Sequence, residues 1–90
     1  MEAIITNDME HCYICGKPYP QMHHIMNKYD KKKSEKYGLI VPLCLTHHTG
    51  DLGVHTHPDR MLQMRRIGQR KFEELYGHEM WMKEFGKNYL

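Results

Sequence analysis

The chain contains only three cysteines, an odd number that leaves no complete disulfide framework. Large core-forming side chains are scarce too, with one tryptophan and two phenylalanines. No apolar stretch approaches the roughly 20 residues needed to cross a bilayer. The longest, Leu39 to Leu45, is interrupted by Pro42 and Cys44. The opening MEAIITNDME lacks the basic start and apolar run of a secretory leader. These scarcities point to a cytoplasmic domain without membrane contact. Thirteen Lys plus Arg against eleven Asp plus Glu give +2 at pH 7, too small an excess to imply a polyanionic partner by itself. There is no internal repeat or low-complexity tail. The 90 residues form one domain, 1–90, in a size range where a bound metal often supplements a small core.

Against that background the cysteines are arranged, not scattered. Cys12-x2-Cys15 is followed by Cys44-x2-His47, which together make a complete four-ligand zinc set. Isolated Cys-x2-Cys pairs also serve redox chemistry, but a second pair closing the set is seldom accidental. Both halves reach one tetrahedron only if the segment between them folds back, so metal binding contributes directly to folding. A redox protein with no bound zinc is the competing reading of the thiols.

The element pattern fits such a fold-back. Cys12 to Lys17 reads as a zinc knuckle with Gly16 in its turn, and residues 1 to 10 as a loose lead-in. Gln21 to Met26 is a short strand, Asn27 to Tyr37 a polar, lysine-rich loop, and Leu39 to Leu43 a second strand whose Pro42 suits an edge or strand end. A short helix from Leu45 to about Asp51 carries His47 and His48, limited by Gly50 and Gly53. A longer helix runs from after Thr56 to Tyr76, with Thr56 and Asp59 as a capping arrangement and Pro58 in its first turn. Its buried stripe is Met61, Met64, Gly68, Phe72 and Leu75. A last helix from about His78 to Phe85 docks Met80, Trp81 and Phe85.

Several histidines remain after zinc is satisfied. His23 and His24 fall between the two zinc half-sites, and His48 leaves the same helix start as His47 in a different direction. Three imidazoles converging beside basic side chains can hold a divalent cation and retain a base near neutral pH. His55 lies two helical turns beyond His48 and is a further ligand for that cation. His57 and Asp51 are weaker candidates, and His11 and His78 read as ordinary surface residues. Neighbours on a regular strand face opposite ways, so a shared cleft for His23 and His24 predicts irregular backbone at those positions. Lysines cluster at Lys28, Lys31, Lys32, Lys33 and Lys36, and arginines at Arg60, Arg65, Arg66 and Arg70. Lys31, Lys32, Lys33, Arg65 and Arg66 are the candidate contacts to a nucleic-acid backbone, set against a plain reading as solvated faces.

Taken in order, Cys12-x2-Cys15, His23-His24-Ile25 and Pro42-Leu43-Cys44-x2-His47-His48 resemble the HNH family of nucleases, the ββα-metal or His-Me finger nucleases. The resemblance covers about residues 12 to 55. It implies an α+β fold with a small zinc-stapled ββα-metal core, knuckle and core at about 11–55 and C-terminal helices at about 57–86. It also implies a metal-dependent endonuclease that nicks or cuts DNA. In that scheme His24 is the general base, and His23 and His48 hold a catalytic divalent cation, Mg2+ or Mn2+, to which the spacing adds His55 as a ligand. Cys12, Cys15, Cys44 and His47 hold a structural Zn2+. The stretches Gly53-Val54-His55 and Phe85 to Leu90 look similar to small bacteriophage-encoded proteins, some associated with recombination. That likeness implies a DNA partner, protein partners in a recombination or packaging complex, and a bacterial host cytoplasm. Two positions depart from the pattern: His47 replaces the usual fourth cysteine, and Leu39 stands near where the family's central asparagine is found, with Asn27 as a substitute only if its loop folds back. The rival reading is a non-catalytic zinc-binding module for DNA or protein interaction.

Overall fold

Residues 3–90 are described in this computed structural model; Met1 and Glu2 of the lead-in lie outside the described residues. The rest of the lead-in is not loose. Ile4 N–H donates to the Gly38 carbonyl at 3.0 Å, and Ile4 and Ile5 pack against the core. The knuckle forms as expected, with Gly16 at positive φ and its N–H bonded to the Cys12 carbonyl at 2.9 Å. Tyr13 N–H then ties the knuckle to the Pro42 carbonyl at 2.8 Å.

Two short strands, β1 (Gln21–His24) and β2 (Ile40–Leu43), pair antiparallel with Gln21 opposite Leu43 and His24 opposite Ile40. β2 is buried along its whole length, as its apolar sequence requires, whereas β1 buries His23 and leaves Met22 half exposed. Pairing is regular through His24 and the chain bends only at 25–26, so the expected irregularity falls just after the histidine pair.

The lysine-rich connection is not a loop. After a single 3-10 turn at Lys28–Asp30 it forms α1 (Lys31–Tyr37), ended by Gly38 in the left-handed conformation. Lysine and glutamate are good helix formers, but the face this helix buries is carried by a serine, which hides its amphipathic pattern. Ser34 is fully buried; its hydroxyl accepts from Met26 N–H at 2.8 Å and donates to the Met26 carbonyl at 2.7 Å. This double bond pins α1 to the end of β1.

The short helix α2 (Leu45–His48) starts at Cys44 and stops sooner than expected. Helix α3 (Pro58–Tyr76) begins with Pro58 in its first turn, as predicted, but its cap is His57, without a side-chain bond. The expected Thr56 cap does not form, because the Thr56 hydroxyl donates to the carbonyls of Gly50 and Gly53 instead. The buried stripe of α3 is Met64, Gly68, Gln69 and Phe72, with Met61 packed beside it; Leu75 is exposed, a correction to the predicted stripe. At Gly68 a methyl group would stand 2.7 Å from the Ile25 Cγ2, so only glycine lets α3 approach the sheet this closely. Helix α4 (His78–Phe85) docks Trp81 and Phe85 against Phe72, with ring centroids 4.3 Å apart for Trp81–Phe85 and 5.4 Å for Phe72–Trp81. Such aromatic pairs add about 0.5–1.5 kcal/mol each beyond their burial. The result is an α+β architecture with a two-stranded antiparallel sheet, and no helix among the described residues is long and apolar enough to cross a membrane.

Candidate metal centres

Cys12, Cys15, Cys44 and His47 converge, each offering one donor atom within 4.8 Å of the others. The knuckle supplies the first two. β2 delivers Cys44 at the start of α2, and the first turn of that helix brings His47 back over it. The Cys15 and Cys44 sulfurs lie 3.6 Å apart, and His47 Nδ1 lies 3.1 Å from the Cys44 sulfur and 4.0 Å from that of Cys12. A tetrahedron with Zn–S arms of about 2.3 Å has S···S edges of about 3.8 Å, so these separations suit zinc without rearrangement. Burial raises the Cys12 thiol, but the N–H groups of Cys44, Cys15 and Ile14 outweigh it and hold the thiol at about 6. The knuckle thereby favours the thiolate that a metal requires. Cys15 moves the other way, upward from its ordinary value despite the Lys17 N–H, because burial and the neighbouring thiols oppose a second negative charge. This cluster can bind a metal ion such as zinc.

A second group forms next to the first. His23, His48 and His55 also bring one ring nitrogen each within 4.8 Å of the others. Their ring centroids are separated by 5.3 Å (His23–His48), 5.2 Å (His23–His55) and 4.7 Å (His48–His55). His48 Nδ1 donates to the Gln21 Oε1 at 2.8 Å, which leaves its Nε2 as a lone pair, 3.1 Å from His55 Nε2. His23 is almost completely buried, yet neither of its ring nitrogens has a partner among the described residues. A buried imidazole with both nitrogens unpaired is costly unless something else satisfies it. Burial, reinforced by His48, His55, His24 and Arg65, pushes the His23 pKa down to about 3, and burial, then His55 and His24, lowers that of His48. Neutral rings with free lone pairs are the form that a cation binds.

His55 reaches this group by a different path from the expected one. α2 does not continue two turns to it. The chain turns at Gly50 and Gly53 and runs back, with Val54 N–H on the His47 carbonyl and His55 N–H on the His48 carbonyl at 3.0 and 3.1 Å. A methyl at Gly53 would stand 2.5 Å from the His48 carbonyl oxygen, so this glycine permits the return instead of weakening it.

His24 lies outside the three-ring group, as the regular strand demands. It still lies near enough to His23 and His48 to disfavour their protonation. Its Nε2 is 2.9 Å from the Glu35 Oε1 on α1. Among the described residues Asn27 makes no hydrogen bond with the histidine; its Oδ1 accepts from Arg65 Nη2 at 3.3 Å. Lys31 and Lys32 are exposed, but Lys33 is committed elsewhere, its ammonium donating to the Glu84 carbonyl near the end of α4 at 2.6 Å. Arg66 is exposed and Arg65 half-buried. His57 donates to the Asp51 carbonyl at 2.6 Å, and the Asp51 side chain joins neither donor group. His11 pairs with Asp8 and His78 with Glu73, both on the surface, as predicted. Two residues with evident roles escaped the sequence reading, Gln21 and Glu35. Each lies on a strand or helix turn away from its histidine in sequence, and a lone Gln or Glu carries no motif. Compared with family models, curated proteins and solved structures, the chain matches none.

Proposed function

We propose that this chain is a metal-dependent endonuclease of the HNH type that hydrolyses DNA phosphodiester bonds, with one structural and one catalytic ion. The observation that carries this reading is buried His23, both ring nitrogens unpartnered among the described residues and one of them within 4.8 Å of ring nitrogens of His48 and His55, beside a four-donor Cys/His cluster. His23, His48 and His55 would hold the second cation. That cation would supply charge neutralisation at the phosphate and the departing oxygen. Three imidazoles and no carboxylate would leave the cation's charge unneutralised by its ligands, and nitrogen donors favour Mn2+ over Mg2+.

His24 serves as general base. With Nε2–H donated to Glu35, its Nδ1 lone pair is left to accept a proton from water. The water oxygen attacks phosphorus, the bond from phosphorus to one deoxyribose oxygen breaks, His24 takes the water proton, and solvent protonates the departing oxygen. Glu35 fixes the ring's tautomer and steadies the imidazolium, the part a family asparagine would otherwise help to play.

The test is a supercoiled-plasmid assay on zinc-loaded protein with added Mn2+ or Mg2+. Nicked or linear product is expected, lost in His24→Ala at unchanged melting temperature. Uncut plasmid with both metals would sink the proposal. It would favour instead a non-catalytic zinc module in which His24–Glu35 merely ties β1 to α1.

A further inference from the structure

We infer that the groove between α3 and the C-terminal segment 87–90 is a track for a nucleic-acid strand, gripping its phosphodiester backbone beside the imidazole group. This inference rests on the hydrolytic reading above.

The segment that forms one wall is built in, not draped. Fully buried Gln69 donates to the Asn88 Oδ1 at 2.8 Å and accepts from Tyr89 N–H at 2.8 Å. Arg66 Nε–H donates to the Tyr89 carbonyl at 2.8 Å, and Trp81 Nε1–H to that of Lys87 at 2.8 Å. Between this wall and α3 lies an open groove of about 470 Å³, lined by Met61, Arg65, Arg66, Lys87, Asn88 and Tyr89 among others. Its size matches ordinary ligand sites, but it is not enclosed, which suits a chain passing through more than a small molecule held on all sides.

Charge decides the ligand class. Three cationic side chains line the groove and no acidic one does. The Tyr89 ring has the Arg65 guanidinium 5.5 Å from its centroid and the Lys87 ammonium at 5.3 Å, so two like charges are gathered around one ring. Among the described residues, no carboxylate forms an ion pair with Arg65, Arg66 or Lys87. Arg65 Nε is also buried without a partner. Like charges held together with no Asp or Glu side chain paired to them create a positive potential that an anion relieves, and a phosphate backbone supplies several anions in a row.

Arg65 links this groove to the candidate centre. Its Nη2 reaches Asn27 at the end of the β1 bend, and its charge is felt at His23. A strand seated in the groove would therefore bring a neighbouring phosphodiester towards the imidazoles. None of these contacts reads a base, so binding is expected to be independent of sequence.

The experiment is fluorescence anisotropy of a fluorescein-labelled oligonucleotide on the zinc-loaded full chain, without added Mg2+ or Mn2+, so that binding is read apart from cleavage. Lys87→Gln and Arg66→Gln should each weaken binding several-fold and reduce the slope of log affinity against log salt by roughly one. Lys71→Gln, whose ammonium pairs with Glu74 on another part of α3, should leave both unchanged. Among the described residues the Lys87 side chain makes no hydrogen bond and only its ring contact with Tyr89, so its replacement keeps the test valid even if Arg66→Gln loosens the C-terminal segment. Unchanged affinity and slope in Lys87→Gln would overturn the inference, as would adenosine monophosphate binding as tightly as the oligonucleotide. Groove-dependent binding with no plasmid nicking defeats the hydrolytic reading alone. Nicking with groove-independent binding defeats the track alone.

Discussion

The two donor groups share a four-residue helix, yet they are built for opposite ends. Cys12, Cys15, Cys44 and His47 come from the knuckle and the start of α2, four protein donors that fill a tetrahedron and leave nothing open. His23, His48 and His55 come from the sheet, the end of α2 and the loop that returns to it, and three donors alone would not complete a tetrahedral shell. Because His47 and His48 are adjacent on a helix, their side chains diverge by about 100°. One ring closes the first group while the other serves the second. A closed group can hold a fold together; an open one can act on a ligand.

The sharpest way to break this comparison is to remove a donor from each group. Cys44→Ser should prevent retention of zinc and abolish cooperative melting, since a structural zinc contributes on the order of 10 kcal/mol to folding in small domains. His48→Ala should leave the zinc content and most of the melting temperature intact. Metal analysis and circular dichroism melts measure both. A Cys44→Ser protein that melts like its parent would erase the distinction.

The next effect is on the proposed chemistry. His24→Ala is expected to slow plasmid nicking by about 10²- to 10⁴-fold, the usual contribution of a general base. Glu35→Ala should cost about 10- to 100-fold, as loss of an orienting partner does, and should act on kcat with little change in KM. Equal losses in the two variants would mean that Glu35 does more than orient the ring. No loss in either would remove His24 from the reaction.

The two groups also differed in how plainly the sequence announced them. The thiol set was legible because four ligands at fixed short spacings leave few other readings; of the histidines, the sequence reading joined His23, His24 and His48 in one cleft and added His55 by helical spacing, whereas the structure groups His23, His48 and His55 without His24. What escaped was the means of support. Residues 27–37 looked like loop because the one residue α1 buries fully is Ser34, not an apolar side chain, so no helical stripe shows. Glu35 therefore had no helix to place it near His24. Thr56 looked like a cap because the capping pattern is local, whereas its hydroxyl was claimed by glycine carbonyls of the returning loop. That same loop placed His55 correctly for a reason the helical spacing did not contain.

A finer cut concerns support for the open group. Gln21→Leu removes the acceptor that fixes the His48 tautomer while leaving all three imidazoles in place. Second-cation affinity should fall about 10- to 100-fold, with the zinc content unaltered. Titrating Mn2+ into the zinc-loaded protein reads this directly. An unchanged affinity would mean that the ring is oriented by packing alone.

Protons give the smallest and most discriminating difference. A cation competes with protons only where the free donor carries one, so the folded-state pKa values set how each group's affinity varies with pH. His23, held down to about 3 by burial first and by the neighbouring imidazoles and Arg65 next, and His48, lowered by burial and by His55 and His24, are already neutral at pH 7. These two rings release no proton when an ion arrives, and their contribution to affinity is flat above about pH 6.5. Cys12, at about 6, is largely thiolate at pH 7, but Cys15 lies above its ordinary thiol value and must give its proton up. Affinity at the thiol group should therefore keep rising with pH through neutrality. Titration calorimetry in buffers of different ionisation enthalpy counts the released protons, first for zinc added to metal-free protein and then for Mn2+ added to the zinc-loaded form. Net release is expected in the first titration and much less in the second. Equal release in both would mean that the open group is no better prepared for an ion than the closed one, and the burial of His23 would lose its explanation.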